Sequence, residues 1–485
     1  PPPPPPQQEA LLTEEDVEAA ILEGILASPI EEWMSFLHPV QAKLVRRNFS
    51  GPARIRGPAG TGKTVVGLHR AAYLARSRRG TVLVTTFVRT LPDVLRQMLT
   101  RMAPDVVDRV EFSGVHEFAR SVLNERGIDY KVSQKAMDEA FDEAWSTVGA
   151  ESALGGAARQ AQYWRDEIAS VIKGRGITRF DAYANLARPG RRYRLTVDQR
   201  RAVWDLYQAY DAQLRTRGVH DHADVILLAE AELAREPMAG RYTAVVVDEA
   251  QDLTCAMVRM LHGLVGDAPD GLTLIGDGQQ SIYPGGFTLA EAGVSVAGRG
   301  AVLDINYRNT AQILAFAQRV VDGDEFADLD GAVARGDVTA QVPRVGPEPV
   351  RVPCASWKDR DARVVQRVRD VVTEVGTGLG DVGVLCLTNR SVNAVADALR
   401  RAGLPVRVLT EYDGAPVDAV KVGTIKRAKG LEFKHVLLAD ARPDDVEGPA
   451  KPPDDGAARE RWELRRRELY VGMTRARDGL WVAVV

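Results

Sequence analysis

One stretch limits this chain more than any other: Gly57-Pro-Ala-Gly-Thr-Gly-Lys-Thr64. It fits the pattern G-x-x-x-x-G-K-[ST] without a mismatch. Residues 53–56 before it form a short strand-like approach. Residues 65–78 after it predict a helix, with Val66, Leu68, Ala72 and Leu74 among its apolar positions and Gly80 as its stop. Strand, glycine-rich loop and helix is the order that phosphate binding requires. Backbone N–H groups of such a loop close on phosphate oxygens, and the helix N-terminus adds partial positive charge. Gly57, Gly60, Thr61 and Gly62 therefore form the expected cradle. Lys63 can reach the β- and γ-phosphates of a nucleotide such as ATP, and the Thr64 hydroxyl can ligate Mg²⁺.

A second stretch completes that chemistry. Thr243-Ala-Val-Val-Val-Asp-Glu-Ala-Gln-Asp252 is an apolar run ending in adjacent carboxylates. At the end of a buried strand, Asp248 is placed for the Mg²⁺ shell and Glu249 to orient and deprotonate an attacking water. Gln41, upstream of the loop, offers a donor and an acceptor together and can read an adenine edge.

Bulk properties set the frame. At 485 residues, 45% of them hydrophobic, the chain is long enough for two to four domains. A formal net charge of −3 means that any nucleic-acid binding comes from a local patch. Three cysteines far apart, with no C-x-x-C, speak against a disulfide framework or zinc ribbon and suit a reducing cytoplasm. No run approaches the length of a membrane span. The proline run at positions 1–6 is expected to be a linker, with an upstream domain or a plain tail as alternatives.

Further stretches carry candidates. The run 81–87 ends in Thr85, Thr86 and Phe87, at the strand end where open α/β sheets bind ligands; Phe87 could be a platform for a base. Residues 117–218 change texture to helices and predict an inserted subdomain. Within it, 173–179 and 188–194 are basic and glycine-broken, which suits phosphate contacts, with Arg175 and Arg192 as candidates. His220-Asp-His-Ala-Asp224 is expected to be a structural loop. Residues 323–351 are polar and unpatterned, and predict loop. A second α/β set runs from 382 to the C-terminus, including a strongly basic helix over 460–477.

Taken in order, these stretches resemble the UvrD/Rep-type helicases of superfamily 1, from about Gln41 to the C-terminus. Beyond the loop and Asp248–Asp252 (DEAQD), Val115-His116-Glu-Phe118 resembles the family's T-x-H motif. Gly276-Asp-Gly-Gln-Gln-Ser-Ile-Tyr283 looks like GDxxQSIY, and Asn306-Tyr-Arg308 like NYR. Gly423-Thr-Ile-Lys-Arg-Ala-Lys-Gly-Leu-Glu-Phe433 is similar to TxHxxKGLEF, and Tyr470-Val-Gly-Met-Thr-Arg-Ala476 to YVxxTRA.

The resemblance implies an α/β fold of two RecA-like domains with parallel sheets and ATP at their interface, plus the helical insertion. The implied boundaries are a linker and leading helix over 1–30, a first domain over 31–116 and 219–300, the insertion over 117–218, and a second domain over 301–485. It implies that Gln41 reads adenine, Tyr307 stacks on it and Glu432 contacts the ribose. Arg308 and Arg475 would act as arginine fingers and Gln280 as a γ-phosphate sensor. Thr86, Phe87, His116, Tyr283 and Thr424 would face single-stranded DNA, with RNA as an alternative, and travel would run 3′→5′.

Four departures stand out. Val115 and Lys426 replace the usual Thr and His. After Tyr283 the chain reads Pro-Gly-Gly-Phe287, so Phe287 would have to stand in for a displaced base grip. The second large insertion of full-size members is missing before the KGLEF motif. Two readings follow: a DNA-stimulated translocase, or a nucleotide-driven switch that remodels a protein partner. A small-molecule kinase would share only the first loop.

Overall fold

The computed structural model describes residues 24–485 except 27, 156–160, 330, 332, 336–339, 375, 447–452 and 454. The proline run and the first part of the expected leading helix lie outside the described residues.

Two six-stranded sheets, each parallel throughout, form two lobes. The first comprises β1 (Ala53–Arg56), β2 (Thr81–Thr86), β3 (Val110–Gly114), β4 (Tyr242–Asp248), β5 (Leu272–Gly276) and β6 (Gly300–Val302), in the order β3-β2-β4-β5-β1-β6. Parallel pairing requires crossovers, and the helices that supply them cover both faces, which is why these strands read as near-continuous apolar runs. Every strand ends on one edge. β4, β5 and β1 are neighbours there, so Asp248, Asp277 and the loop at Gly57 emerge side by side. β6 lies on this sheet, so the first lobe takes its last strand from residues 300–302, across the expected boundary at 300.

The region expected to be loop carries three short strands. β7 (Glu325–Ala327) and β8 (Val333–Arg335) make an antiparallel hairpin. β9 (Val350–Pro353) is the edge of the second sheet, paired with β14. Largely exposed, β9 has no continuous apolar run to announce it.

The second sheet adds β10 (Val382–Cys386), β11 (Val406–Val408), β12 (Val420–Thr424), β13 (Phe433–Ala441) and β14 (Ala476–Val484), in the order β11-β12-β10-β13-β14-β9. All nine residues of β13 are buried, so this strand anchors the lobe. Each large aliphatic side chain buried there contributes about 1.5–3 kcal/mol. One apolar cluster spans both lobes and includes Leu91 and Val94 from the first with Tyr412 and Leu431 from the second.

The insertion is helical where it is described, with Gln134–Ala144, Ala161–Asp166 and Val197–Thr216 around Trp164, Tyr183 and Tyr210. The loop 409–419 is all that separates β11 from β12. Cys255 and Cys386 are buried, and the three cysteines are free thiols. No helix among the described residues is long and apolar enough to cross a membrane.

Candidate nucleotide cleft and strand-binding face

The first lobe faces the second with the ends of its strands; the second answers with the starts of β13 and β14. Gly60 and Gly62 both have positive φ, at 78° and 76°. A side chain at Gly60 would also collide with Asn306, 2.0 Å from the Cβ position. The helix Lys63–Ser77 begins with no side-chain cap, leaving its first N–H groups turned to the loop. Lys63 Nζ donates to the carbonyls of Gly57 (2.7 Å) and Pro58 (2.8 Å), with Asp277 Oδ2 at 3.8 Å. Burial lowers the Lys63 pKa, against the pull of Asp277 and Glu249.

Thr64 Oγ1 donates to Asp248 Oδ2 at 2.8 Å, so the two candidate Mg²⁺ ligands are already paired. Burial, then the charge of Glu249, pushes Asp248 up to about 7. A hydroxyl beside a carboxylate short of positive charge is a donor set that fits a hard divalent cation. Glu249 has φ 54° and ψ 41°, a left-handed conformation that costs a non-glycine residue about 1–3 kcal/mol and turns up at functional sites. Burial alone would raise its pKa, but Lys429, Arg475 and Lys63 outweigh that and hold it below the usual range.

Sequence reasoning missed two residues that hold this corner. Gln251 donates to Glu249 Oε2 at 2.6 Å and accepts from the Asp277 N–H at 3.0 Å. Lys429, fully buried and from the second lobe, bonds Asp252 and the Gln280 carbonyl, and lies 3.6 Å from Glu249. The K-G-L-E stretch was the available signal for Lys429; Gln251 lay inside DEAQD.

Arg475 lies between the helix Gly456–Met473 and β14. Its Nη2 donates to Gln280 Oε1 at 2.7 Å, and its Nε to the Val471 carbonyl at 3.0 Å. Burial and the neighbouring Arg308 bring its pKa down to about 10. Gln280 in turn donates to Asp277 Oδ2 at 2.6 Å. A polar relay therefore runs Lys63–Asp277–Gln280–Arg475 across the lobe interface. Arg308 bonds Glu432 and donates to the Thr474 carbonyl at 3.2 Å, while its Nε is buried with no partner among the described residues.

Beside this relay is a narrow pocket lined by Trp33, His38, Gln41, Tyr307 and Glu432. The amide ends of Gln41 bond the His38 N–H (3.1 Å) and the Thr61 carbonyl (2.9 Å), tying the helix Pro39–Val45 to the phosphate loop. The His38 ring stacks on Tyr307 at 4.2 Å between centroids, so His38 covers one face of that ring. Trp33, also missed in sequence, donates to Glu432 Oε2 at 2.7 Å; 399 residues separate the pair, and no local pattern points to it.

The strand-binding candidates divide. Phe87, His116 and Tyr283 form one partly buried aromatic cluster, with Phe87–Tyr283 at 4.6 Å and Phe87–His116 at 5.7 Å. Lys426 lies 5.8 Å from the Tyr283 ring. Burial, then His222, pushes His116 down to about 4. Thr86 is fully buried and accepts the Val88 N–H; Thr424 caps the turn Ile425–Ala428.

Phe287 and Arg175 do not join them. Phe287 is buried in the apolar core with Leu289 and Val294. Arg175 is buried and occupied by Glu291 and the Gly286 carbonyl. Arg192 bonds Glu463 at 2.9 Å, which turns it toward the second lobe. None of the three is carried forward as a nucleic-acid contact. In 220–224, Asp221 caps the helix His222–Arg235 and bonds Lys173 at 2.8 Å.

Comparison with known proteins follows this geometry. The model of the UvrD/REP helicase N-terminal domain matches residues 37–294, and that of the UvrD-like helicase C-terminal domain matches 411–485. ATP-dependent DNA helicase UvrD1 of Mycobacterium tuberculosis is 27% identical over 416 residues, covering 79% of this chain and 51% of the relative. ATP-dependent DNA helicase UvrD2 of the same species is 26% identical over 452 residues, covering 85% and 61%. DNA helicase II of Escherichia coli is 26% identical over 229 residues, covering 42% and 28%. The chain thus spans between half and three fifths of the two mycobacterial relatives. With two parallel α/β lobes of RecA-like type and the N-terminal model covering more than half its length, the chain belongs to the UvrD/REP helicase family.

Proposed function

We propose that this chain hydrolyses ATP between its two lobes and uses the cycle to move along single-stranded DNA, in the 3′→5′ direction. The observation that carries the reading is the meeting of Arg475 from the second lobe with Gln280 from the first, beside Lys63 and Glu249.

Each residue then has a task. Lys63 exchanges the Gly57 and Pro58 carbonyls for phosphate oxygens. Glu249, with Oε2 fixed by Gln251, takes the proton of the attacking water. Arg308 and Arg475 oppose charge growing on the transferred phosphoryl group. Gln280, bonded to both Asp277 and Arg475, links the phosphate to the position of the second lobe. Thr64 and Asp248 would hold Mg²⁺, which would neutralise phosphate charge. Gln41 and Tyr307 would receive the base, and Glu432 the ribose. Phe87, His116 and Tyr283 would meet the strand by stacking, and Thr424 by backbone contact, while the buried Thr86 only supports Phe87 from within. We place the chain with its DNA in the cytoplasm.

ATP turnover titrated with single-stranded DNA, duplex DNA and RNA tests this reading, followed by strand displacement on tailed duplexes of both polarities. Stimulation by single-stranded DNA and release only from 3′-tailed duplexes are expected; turnover indifferent to every nucleic acid would overturn it. A second reading, an ATP-driven switch acting on a protein partner, is favoured by the short 409–419 loop and by the occupied state of Arg175 and Arg192. Turnover raised by a co-purifying protein and not by DNA would select it.

A further inference from the structure

The helical insertion rests on both lobes. It leaves the first lobe after the helix Val115–Glu125 and returns through the helix His222–Arg235. The two feet meet where the His116 and His222 rings lie 5.8 Å apart. Its far side is clasped to the second lobe. Arg191 donates to Glu460 Oε1 (2.6 Å), the Arg192 N–H to Glu460 Oε2 (3.0 Å) and the Arg192 side chain to Glu463 (2.9 Å). The Tyr163 hydroxyl adds a bond to Glu460 at 3.3 Å. Ala457 is buried in the insertion's own apolar cluster. At Gly456 the approach is so close that an added Cβ would stand 3.4 Å from the Tyr193 Cβ.

All three parts of the molecule meet around the cluster of Phe87, His116 and Tyr283. The loop after Tyr283 packs on the insertion: a Cβ at Gly285 would lie 2.9 Å from Ser170, and one at Gly286 3.0 Å from the Pro189 carbonyl. From the second lobe, Arg467 donates to the Ser281 carbonyl at 3.3 Å, and Lys426 lies 5.8 Å from the Tyr283 ring. His116 Nδ1 is buried there with no hydrogen-bond partner among the described residues.

The clasp is built mainly from charged groups. Ions lose their hydration when such a contact closes, which offsets much of their attraction, and water takes both faces back when it opens. Polar contacts of this kind are the ones across which domains move.

Resting on the proposed strand-binding face, we propose that the clasp is a gate. Closed, the insertion and the second lobe complete a ring around a bound single strand. A strand without ends enters only when Arg191 and Arg192 part from Glu460 and Glu463. The helix Gly456–Met473 ends two residues before Arg475, so the gate and the nucleotide cleft share one rigid element.

The test uses Tyr193→Cys/Gly456→Cys, whose Cβ separation of 3.4 Å is close to the disulfide range of about 3.5–4.5 Å. The readout is the capture rate of fluorescent circular and linear single-stranded DNA, with the two single-cysteine variants as oxidation controls. Oxidised before mixing, the pair should capture the circle at least about tenfold more slowly than when reduced, while a linear strand, which threads by its end, changes less than about threefold. An unchanged rate on the circle, an equal loss on both strands, or thiols that fail to pair would overturn the gate. Oxidised after loading, the pair should hold the circle through a wash in about 1 M salt that strips the linear strand; a circle that leaves with the linear strand contradicts enclosure. Arg192→Ala loosens the clasp without a cross-link and should speed capture of the circle by about threefold or more, with DNA-free ATP turnover unchanged. An unchanged or lower rate there also overturns the gate and leaves the strand-binding face standing. An unmutated chain that binds no single-stranded DNA overturns both.

Discussion

The nucleotide cleft and the base of the helical insertion are both rich in buried arginine, and they use it in opposite ways. In the insertion, Arg188 grips Glu167 with two bonds (2.6 and 2.7 Å). Arg191 bonds Glu167 (2.9 Å) and Glu460 (2.6 Å) and stands 3.9 Å from the Tyr163 ring. Each cation there has its anion. In the cleft, Arg475 bonds an amide oxygen and a backbone carbonyl, and Lys63 bonds two carbonyls. Those partners satisfy the hydrogen bonds of Arg475 without cancelling its charge, whereas Arg308 is paired with Glu432 and Lys63 has Asp277 at 3.8 Å. Cation count therefore does not mark an anion site; the chemistry of the partners does. The insertion's charges bolt it to the helix Gly456–Met473, while the charge of Arg475 in the cleft stays available to a polyphosphate.

The largest expected effect breaks the cleft alone. Glu249→Gln should lower ATP turnover by about 10²–10⁴-fold, the range for a lost general base, with nucleotide still bound. Rapid-quench turnover beside equilibrium nucleotide titration checks it; a loss below tenfold would remove Glu249 from the proton transfer.

Stability should invert the ranking. Arg191→Ala removes the guanidinium that joins Glu460 to Glu167, leaving Glu167 to Arg188 alone, and should cost about 3–5 kcal/mol, read in denaturant unfolding. Turnover measured where the variant is folded should change less than threefold. If Arg191→Ala is as stable as the parent, the insertion's network is not a bolt.

A smaller contrast separates the two regions as DNA surfaces. Phe87→Ala should weaken single-strand binding by about 1–3 kcal/mol, as for a lost stacking platform. Arg175→Ala should leave affinity within twofold and the salt dependence unchanged, because that guanidinium is already spent on Glu291. Fluorescence anisotropy at several salt concentrations distinguishes them, and a reduced salt slope in Arg175→Ala would reverse the assignment.

The smallest effect is a pH slope. His116 is held down to about 4, below the ordinary 6.5, by burial and then His222. Between those values the unfolded chain binds a proton that the folded chain refuses, so stability falls as pH drops from about 6.5 toward 4. His116→Gln should flatten that part of the curve; identical curves would mean the imidazole protonates freely in the folded protein.

Much of the cleft was legible because its chemistry is local in sequence. Gly57 to Thr64 and Asp248-Glu249 each concentrate the needed groups within a few residues, and buried parallel strands deliver them to one edge. What the sequence hid depends on distant partners. Arg175 and Arg192 have the look of free basic residues until Glu291 and Glu463 are seen against them. Phe287 was offered as a stand-in for the displaced base grip after Tyr283, yet the core around Leu289 takes it. Trp33 and Lys429 act across the lobe interface on Glu432 and Asp252, and only the folded chain brings those pairs together. β9 escaped notice because an edge strand of four residues needs little apolar pattern.

The central claim is that positive charge from the second lobe acts on phosphate held by the first. Arg475→Ala tests it most directly, with single-turnover ATP hydrolysis and nucleotide affinity measured on the same preparation in the presence of single-stranded DNA. A missing arginine finger should lower the hydrolysis rate by about 10³-fold or more while the dissociation constant changes less than about threefold. A rate that stays within tenfold, or a rate and affinity that fall by the same factor, would contradict it.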